Sequence, residues 1–165
     1  RDVLTGLPNR RALLETLPET MSRAQRVARP AALLFIDLDG FKAVNDNHGH
    51  EEGDELLRQF GARLVQTVRK TDLVARLAGD EFVVVLEMLA DPVDAEDTAA
   101  KLLERVREPY QLRTTTVTVG ASIGVAVFGP DDRHDLDGWL ARADHAMYAA
   151  KRGGKNAVAL AAMPL

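Results

Sequence analysis

The chain has 165 residues, of which 46% are hydrophobic and 28% charged, which suits one globular domain with an ordinary core. The net charge of −4 gives no electrostatic reason to expect a nucleic acid or an anionic membrane as partner. The absence of cysteine excludes disulfides and Cys-based zinc sites, and the longest apolar run, residues 31–36, cannot span a bilayer. We therefore expect a cytoplasmic domain. Because the chain starts at Arg1, we also expect it to be excised from a longer protein that other domains could anchor to a membrane.

The start of the chain predicts helices followed by a buried strand. A loop over residues 2–10 leads into a helix, and a second, basic and Ala-rich helix ends at Pro30. The apolar run 31–37 predicts a strand. If the extended backbone continues beyond it, Asp37 and Asp39 lie on the same face, because side chains alternate along a strand.

Two further helices precede a predicted hairpin. Gly40 ends the first strand, and a short helix is followed by a longer one with apolar residues three and four apart (Leu57, Phe60, Leu64 and Val68). The small pair at 78–79 predicts a tight turn into a strand at 82–86, whose residues suit burial on both sides. Asp80 and Glu81 should therefore lie at the tip of a hairpin.

The rest of the chain predicts helix, strand, helix and a last strand. An acidic segment at 91–97 predicts a loop and helix start, and the helix over 98–108 stops at Pro109. Residues 115–128 alternate and predict a strand with one apolar face (Val117, Val119, Ala121, Ile123, Val125 and Val127). The last helix, 136–151, ends at a Gly pair, and 156–160 could form an edge strand.

This order of elements indicates an α+β fold with a central mixed, largely antiparallel sheet wrapped by helices. Strand pairs interrupted by helices differ from the strict alternation that builds a parallel, doubly wound sheet. The sequence contains no internal repeat and no linker, so residues 1–165 are predicted to be a single domain.

Three carboxylates fall at predicted strand ends: Asp37, Asp80 and Glu81. Alone, the hairpin pair is typical of a solvated turn, and Asp37 with Asp39 of a strand-end cap. If the two strands are neighbours, the carboxylates converge, and like charges this close need a cation to neutralise them. Oxygen ligands without nearby histidine or cysteine favour Mg²⁺, with Mn²⁺ as an alternative. Two such ions can hold a nucleotide's phosphates and activate an attacking hydroxyl.

Four further residues could bind the rest of a nucleotide. Asn45 can both donate and accept at a guanine edge, and the Asp54 carboxylate can accept from guanine N1–H and N2–H₂. Lys151 and Lys155 flank the end of the last helix, where they could meet phosphates as point charges. The structural alternative is a helix cap or turn for the first pair, and lysines that oppose the helix dipole for the second.

Five stretches carry a family resemblance: residues 2–10 (DVLTGLPNR), 35–57 (FIDLDGFKAVNDNHGHEEGDELL), 76–82 (RLAGDEF), 122–125 (SIGV) and 143–156 (ADHAMYAAKRGGKN). Each is weakly specific alone, but their order and spacing over nearly the whole chain are very specific. The chain thus resembles the GGDEF domain family, the diguanylate cyclases of bacterial cyclic di-GMP signalling. The resemblance implies a fold like nucleotidyl cyclases and polymerase palms. It also implies that two GTP molecules, one on each of two facing domains, condense to cyclic di-GMP with release of pyrophosphate.

The resemblance also implies roles for the residues at the strand ends. Asp37 and Glu81 match Mg²⁺ ligands, with the backbone carbonyl of Leu38 beside them. Asp80 matches a residue that helps to deprotonate the attacking 3′-hydroxyl or assists the metals.

The nucleotide contacts follow from the resemblance in the same way. Asn45 and Asp54 match the guanine-binding residues, and Lys151, Lys155 and Gly79 match phosphate contacts. Lys155 stands where many members have Arg. Lysine keeps the positive charge but lacks the bidentate fork of the guanidinium group.

Arg69 and Asp72 match the Arg-x-x-Asp inhibitory product site of the family. Arg can chelate a guanine Hoogsteen edge and a phosphate, and Asp can accept from a guanine N–H. The resemblance therefore implies product inhibition by cyclic di-GMP.

The chain departs from the family at Ala78, where the family motif has its first Gly. If φ is positive there, Ala costs about 1 kcal/mol; otherwise only one methyl group near the nucleotide matters. Active members with Ala or Ser at this position exist, so we expect activity to be retained.

Two alternatives to a cyclase stay open. Residues 110–128 and the last helix are similar to GGDEF domains joined to an EAL phosphodiesterase, so the chain could be a weakly active or inactive domain that binds GTP or cyclic di-GMP and regulates its neighbour. Retention of Asp80 and Glu81 argues against an inactive domain. A different nucleotidyl-transfer enzyme is the third possibility, and Asn45 with Asp54 argues for guanine. The expected partners are GTP, cyclic di-GMP, a second copy of the domain for catalysis, and sensory or EAL domains in the full-length chain.

Overall fold

The computed structural model describes residues 1–162, which form a five-stranded sheet with helices on both faces. The strands are β1 (Ala31–Asp39), β2 (Leu73–Ala78), β3 (Glu81–Leu86), β4 (Tyr110–Gln111), β5 (Thr116–Val117), β6 (Gly120–Phe128) and β7 (Ala157–Leu160). The main sheet has the order β2-β3-β1-β6-β7, and only β6 and β7 are parallel neighbours; β4 and β5 form a separate ribbon. The predicted α+β class with a mixed, mostly antiparallel sheet is confirmed.

Helices cover both faces of this sheet. They are α1 (Arg10–Val27), α2 (Phe41–His48), α3 (His50–Thr67), α4 (Val93–Val106) and α5 (Leu136–Arg152). Alternate residues of β1 enter two cores: Leu34 and Ile36 pack with α3 and α4, and Leu33 and Phe35 pack with α1 and α5. This burial on both faces accounts for the continuous apolar runs of β1 and β3. Within residues 1–162, no helix is long and apolar enough to cross a membrane.

A single helix, α1, replaces the two helices predicted before β1, so that prediction was wrong. Pro18 lies inside α1, although proline in a helix interior costs about 3 kcal/mol. The buried residues of α1 form one stripe that continues past the proline (Leu13, Leu17, Thr20 and Ala24), and packing of this stripe on the sheet outweighs the cost. The helix ends at Val27, and its C-cap residue, Ala28, has a left-handed conformation with φ of 59° before Pro30.

Helix α4 begins at Val93, five residues before the predicted start at 98, and ends at Val106 rather than 108. The Asp91 carboxylate accepts from the Val93 N–H (2.9 Å), and the Asp94 carboxylate accepts from the Asp91 N–H (3.1 Å). The acidic segment is therefore the N-terminus of α4 itself, where carboxylates satisfy free N–H groups and face the positive end of the helix dipole.

The strand predicted over 115–128 is divided in the structure. Thr116–Val117 pairs with Tyr110–Gln111 in the small ribbon, and the long strand begins only at Gly120. The apolar face predicted for this stretch is confirmed, since its residues from Val119 onward lie in one core. The edge strand after α5 is also confirmed, as β7.

Candidate functional site

The predicted metal ligands lie side by side at one end of the sheet. Strands β1 and β3 are antiparallel neighbours, and their register pairs Asp37 directly with Glu81. The Leu38 N–H donates to the Asp80 carbonyl (3.1 Å), so the hairpin tip is bonded to the end of β1. Asp37 is only 3% exposed, whereas Asp80 is half-buried and Glu81 exposed. The carboxylates of Asp37, Asp80 and Glu81 therefore converge, as expected if the two strands that carry them are neighbours.

Asp37 has the environment of a metal ligand. Its Oδ1 is buried and finds no hydrogen-bond partner within residues 1–162, and its Oδ2 contacts Lys151 Nζ. In the same residues, no three His, Cys, Asp or Glu side chains are grouped to hold an ion by themselves. An ion here would take Asp37, Glu81 and the Leu38 carbonyl, and would complete its coordination with phosphate and water, as Mg²⁺ commonly does. The residues therefore fit Mg²⁺ that arrives with a nucleotide.

The acidic side chains of the hairpin have raised pKa values. Burial raises the pKa of Asp80 and the charge of Asp39 adds to the effect. Burial also raises the pKa of Glu81, together with the charges of Asp80 and Asp144, while Arg10 opposes the shift. Arg10, Glu81 and Asp144 line a cavity of about 440 Å³. A cation bound beside these carboxylates would remove the repulsion among them.

Asp39 shares a face with Asp37 but has a structural role. Its carboxylate accepts from the Ser122 hydroxyl (3.0 Å) and from the Asn156 N–H (2.8 Å). These bonds connect β1 to β6 and to the residue before β7. The strand-end cap considered as an alternative from the sequence therefore describes Asp39.

Ala78 does not occupy a left-handed position. It is the last residue of β2 and pairs with Glu81 beyond a register shift that follows Arg76. The positive φ of the tip, 50°, belongs to Gly79 instead. Alanine at position 78 therefore causes no left-handed strain, which answers the question that the sequence left open.

Arg76 stabilises the hairpin tip, and the sequence analysis gave it no role. Its guanidinium donates to the Asp2 carboxylate and to the Gly79 carbonyl, both at 2.9 Å. Asp2 also accepts from the N–H and hydroxyl of Thr5 (2.8 and 2.6 Å). Burial opposes ionisation of Asp2, but these hydrogen bonds and Arg76 lower its pKa below the ordinary value. Both residues lie within stretches that carry the family resemblance, which was the available signal.

The predicted guanine-binding residues lie where α2 packs against α3. A Cβ on Gly53 would lie 1.8 Å from Asn45 Oδ1, so only glycine at 53 lets Asn45 approach α3 beside Asp54. In the described part of the chain, Asn45 Oδ1 is buried without a hydrogen-bond partner. Gly53 directly precedes Asp54, so Asn45 packs on the turn that carries this carboxylate, and an amide with a carboxylate suits a ligand edge rich in N–H donors. Gly53 is a second residue whose role is not apparent from the sequence.

The two predicted phosphate-binding lysines differ in placement. Lys151 lies in the last turn of α5 and reaches Asp37, whereas Lys155 is exposed in the loop that follows. Lys155 has a left-handed φ of 66°, and the next residue, Asn156, is held by Asp39. Contact with Asp39 therefore fixes the loop that carries Lys155.

Arg69 and Asp72 form a second site at the other end of the β2–β3 hairpin. The Asp72 side chain is 2% exposed and accepts two bonds from the Arg69 guanidinium (3.1 and 3.0 Å). A cavity of about 330 Å³ lies beside the pair and is also lined by Arg29 and Lys101. Because β2 begins directly after Asp72, this site is one strand length from the hairpin tip.

The fold and the strand-end carboxylates place the protein in the class of palm-like nucleotide cyclase domains. Residues 1–157 match the family model described as diguanylate cyclase, GGDEF domain, so the chain belongs to the GGDEF domain family and the resemblance is confirmed. It is 46% identical over 157 residues to the bifunctional diguanylate cyclase/cyclic di-GMP phosphodiesterase MucR of Pseudomonas aeruginosa. That match covers 94% of this chain but 22% of MucR, so the chain spans about a fifth of this relative's length.

Solved structures agree with this assignment. The GGDEF domain of TpbB (YfiN) from Pseudomonas aeruginosa has a TM-score of 0.93 and 38% identity, with 98% of this chain and 94% of that one covered. The GGDEF domain of DgcB from Caulobacter crescentus, solved in complex with c-di-GMP, has a TM-score of 0.87 and 30% identity, with 97% and 94% covered.

Proposed function

We propose that this domain is a diguanylate cyclase that acts as a pair of facing copies, each binding one GTP. The 3′-hydroxyl of each GTP attacks the α-phosphorus of the other, and two phosphodiester bonds replace two phosphoanhydride bonds as two pyrophosphates leave. The observation that carries the proposal is the direct pairing of buried Asp37 with Glu81 at a strand end, with Lys151 against Asp37.

Each residue of the strand end has a role in this proposal. Mg²⁺ held by Asp37, Glu81 and the Leu38 carbonyl would neutralise phosphate charge and polarise the attacking hydroxyl. Asp80 accepts the proton of the 3′-hydroxyl or assists the metal, and burial, which raises its pKa, makes its carboxylate a better proton acceptor. Lys151 moves from Asp37 to a phosphate.

The remaining contacts select and orient GTP. Asn45 and Asp54 bind the guanine edge, and Asp54 accepts from N1–H and N2–H₂. Lys155 and the backbone at Gly79 contact phosphates. The exposed position of Lys155 and the open space around Gly79 support these roles.

The second site is proposed to bind the product. Cyclic di-GMP would engage Arg69 and Asp72 and inhibit the enzyme, and the cavity with further basic residues beside them supports this role. The complex of the DgcB domain with c-di-GMP is consistent with such binding. In the full-length chain we propose sensory or EAL domains as neighbours, since MucR is longer and bifunctional.

The test is incubation with GTP and Mg²⁺ at high protein concentration, with products separated by chromatography. Wild type should make cyclic di-GMP, Glu81→Gln should not, and Glu15→Gln, which removes an exposed carboxylate of α1, should match wild type. If nothing is made, a GTP titration of a forcibly dimerised sample separates the alternatives. Tight binding without product would make the domain regulatory, and absence of binding would contradict the site itself.

A further inference from the structure

One face of α3 binds the chain segment between α4 and β6 through its backbone. Glu52, Gln59 and Arg63 are seven and four residues apart, which places them on the same face of the helix. Gln59 donates to the Gln111 carbonyl (2.8 Å). Arg63 donates to backbone carbonyls at the end of α4, and its guanidinium lies 3.5 Å from the centre of the Tyr110 ring. The β4–β5 ribbon is thus attached to α3 along this face.

Glu52 is the buried member of this face. It is 3% exposed, and its carboxylate accepts from the Arg113 N–H (2.9 Å), the Thr114 N–H (3.1 Å) and the Thr114 hydroxyl (3.2 Å). Burial alone would raise the pKa of Glu52, but the hydrogen bonds from the loop outweigh it and lower the pKa. The carboxylate is therefore charged at neutral pH, and hydrogen bonds to a charged acceptor are roughly twice as strong as neutral ones.

The Glu52 contact belongs to the same turn of α3 as Asp54, one of the two proposed guanine-binding residues. Gly53, which leaves room for Asn45, follows Glu52 directly, and Asp54 follows Gly53. Gly49, which has no side chain, precedes this turn as its N-cap. The loop therefore holds this turn through the Glu52 side chain, and not by capping the free backbone N–H groups of the helix start.

The loop also leads directly to the catalytic end of the sheet. After β5 the chain passes Val119, whose side chain lies 4.0 Å from the position of a Cβ on Gly40, and enters β6. Gly120, the first residue of β6, pairs with Asp39. The Glu52 contact therefore connects the first turn of α3 to the strands that carry the proposed metal site.

We propose that Glu52 is a positioning residue for guanine recognition, which holds the first turn of α3, with Asp54, in register with the phosphate-binding end of the sheet. The inference rests on the proposed function, because it concerns how the same site selects its nucleotide. Glu52 acts through the loop at Arg113 and Thr114 and through Gly53. Its loss would let Asp54 and Asn45 shift together relative to the strand end.

The test compares binding of 3′-deoxy-GTP and 3′-deoxy-ITP in the presence of Mg²⁺ by calorimetry. Neither analogue can cyclise, and the inosine analogue lacks the 2-amino group that Asp54 is proposed to bind. In Glu52→Gln one acceptor oxygen becomes an NH₂ donor that faces backbone N–H groups. We therefore expect the Kd for 3′-deoxy-GTP to rise about threefold to tenfold, which corresponds to the loss of about one hydrogen bond. The preference for guanine over hypoxanthine should fall in parallel. Glu51→Gln is the matched control, since Glu51 is exposed and its ion pair with Arg113 lies on the surface (3.3 Å).

The proposal is overturned if folded Glu52→Gln keeps the wild-type ratio of affinities for 3′-deoxy-GTP and 3′-deoxy-ITP. This holds even if both affinities fall, because a purely structural defect weakens the binding of both analogues equally. If Glu52→Gln does not fold, Thr114→Val removes only the hydroxyl donor, and the same ratio should fall by a smaller factor; an unchanged ratio there is equally decisive. A wild type without preference between the analogues refutes the guanine assignment of Asp54 instead, and this inference with it.

Discussion

Gly53→Ala tests whether the contact between α2 and α3 sets the affinity for GTP. Local propensity alone predicts stabilisation, since Ala is favoured over Gly in a helix interior by about 1 kcal/mol. The added Cβ, however, would lie 1.8 Å from Asn45 Oδ1 and 3.3 Å from a ring carbon of Phe41. Real Cβ contacts stay beyond 3.0 Å, so the Asn45 oxygen must move by at least 3.0 − 1.8 = 1.2 Å.

This displacement should affect both the stability of the fold and the affinity for GTP. Overpacking costs about 1–3 kcal/mol and the gain in helix propensity returns about 1 kcal/mol, so the free energy of unfolding should fall by about 0–2 kcal/mol. Loss of the proposed Asn45 hydrogen bonds to guanine, at about 0.5–1.5 kcal/mol each, should weaken GTP binding about tenfold. Tenfold in Kd corresponds to about 1.4 kcal/mol, which lies within the range expected for stability, so the affinity should fall even if the fold loses little stability.

Gly61→Ala is the matched control for this variant. Gly61 is also a buried glycine of α3, but its Cβ would lie 3.1 Å from Leu7 Cδ1, the flexible end of a side chain. Its GTP affinity should stay within about twofold of wild type. Calorimetric titration gives the affinities, and urea denaturation gives the stabilities. Wild-type affinity in Gly53→Ala, or equal losses in both variants, would refute the reasoning.

Three further predictions concern the hairpin and the second site. Ala78→Gly should leave the cyclase rate within about twofold. Gly79→Ala, at a φ of 50°, should lower the free energy of unfolding by about 1 kcal/mol in urea denaturation, and an equal loss of stability in Ala78→Gly would contradict this assignment of strain. The ion pair of Asp2 and Arg76 stabilises the fold above the unfolded pKa of Asp2, near 3.8, and this stability is lost as pH falls through the lower folded pKa. Between about pH 5 and pH 3, the free energy of unfolding should therefore fall less in Asp2→Asn than in wild type. Equal falls in the two proteins would exclude a role for the ion pair. Arg69→Ala should relieve inhibition by added cyclic di-GMP at an unchanged initial rate, and retained inhibition would argue against this product site.

Features encoded by short-range pattern were predictable from the sequence. Alternation within one strand places Asp37 and Asp39 on a common face, and a small-residue turn before an apolar run places Asp80 and Glu81 at a hairpin tip. The direct pairing of Asp37 with Glu81 needed one further condition, that β1 and β3 are neighbours, which no local pattern supplies.

Features decided by packing were not predictable in this way. Helix α1 continues through Pro18 because the sheet buries its apolar stripe both before and after the proline. Proline alone would predict that the helix ends there. The backbone at Ala78 depends on the irregular pairing of β2 with β3. Glu52 resembles any first-turn acid of a helix, and its partners lie 61 and 62 residues away in the chain.

The contact of Lys151 with Asp37 explains how the fold keeps a buried carboxylate at the place where metal and phosphate are proposed to bind. Breaking a buried ion pair without replacement costs about 3–5 kcal/mol, and less here because the Lys151 side chain is 33% exposed. In the proposed function, Asp37 would exchange Lys151 for Mg²⁺, and Lys151 would exchange Asp37 for a phosphate. Metal alone would leave the lysine without its carboxylate, and nucleotide alone would leave the buried carboxylate without a cation. The geometry therefore favours binding of metal and nucleotide together over binding of either one first.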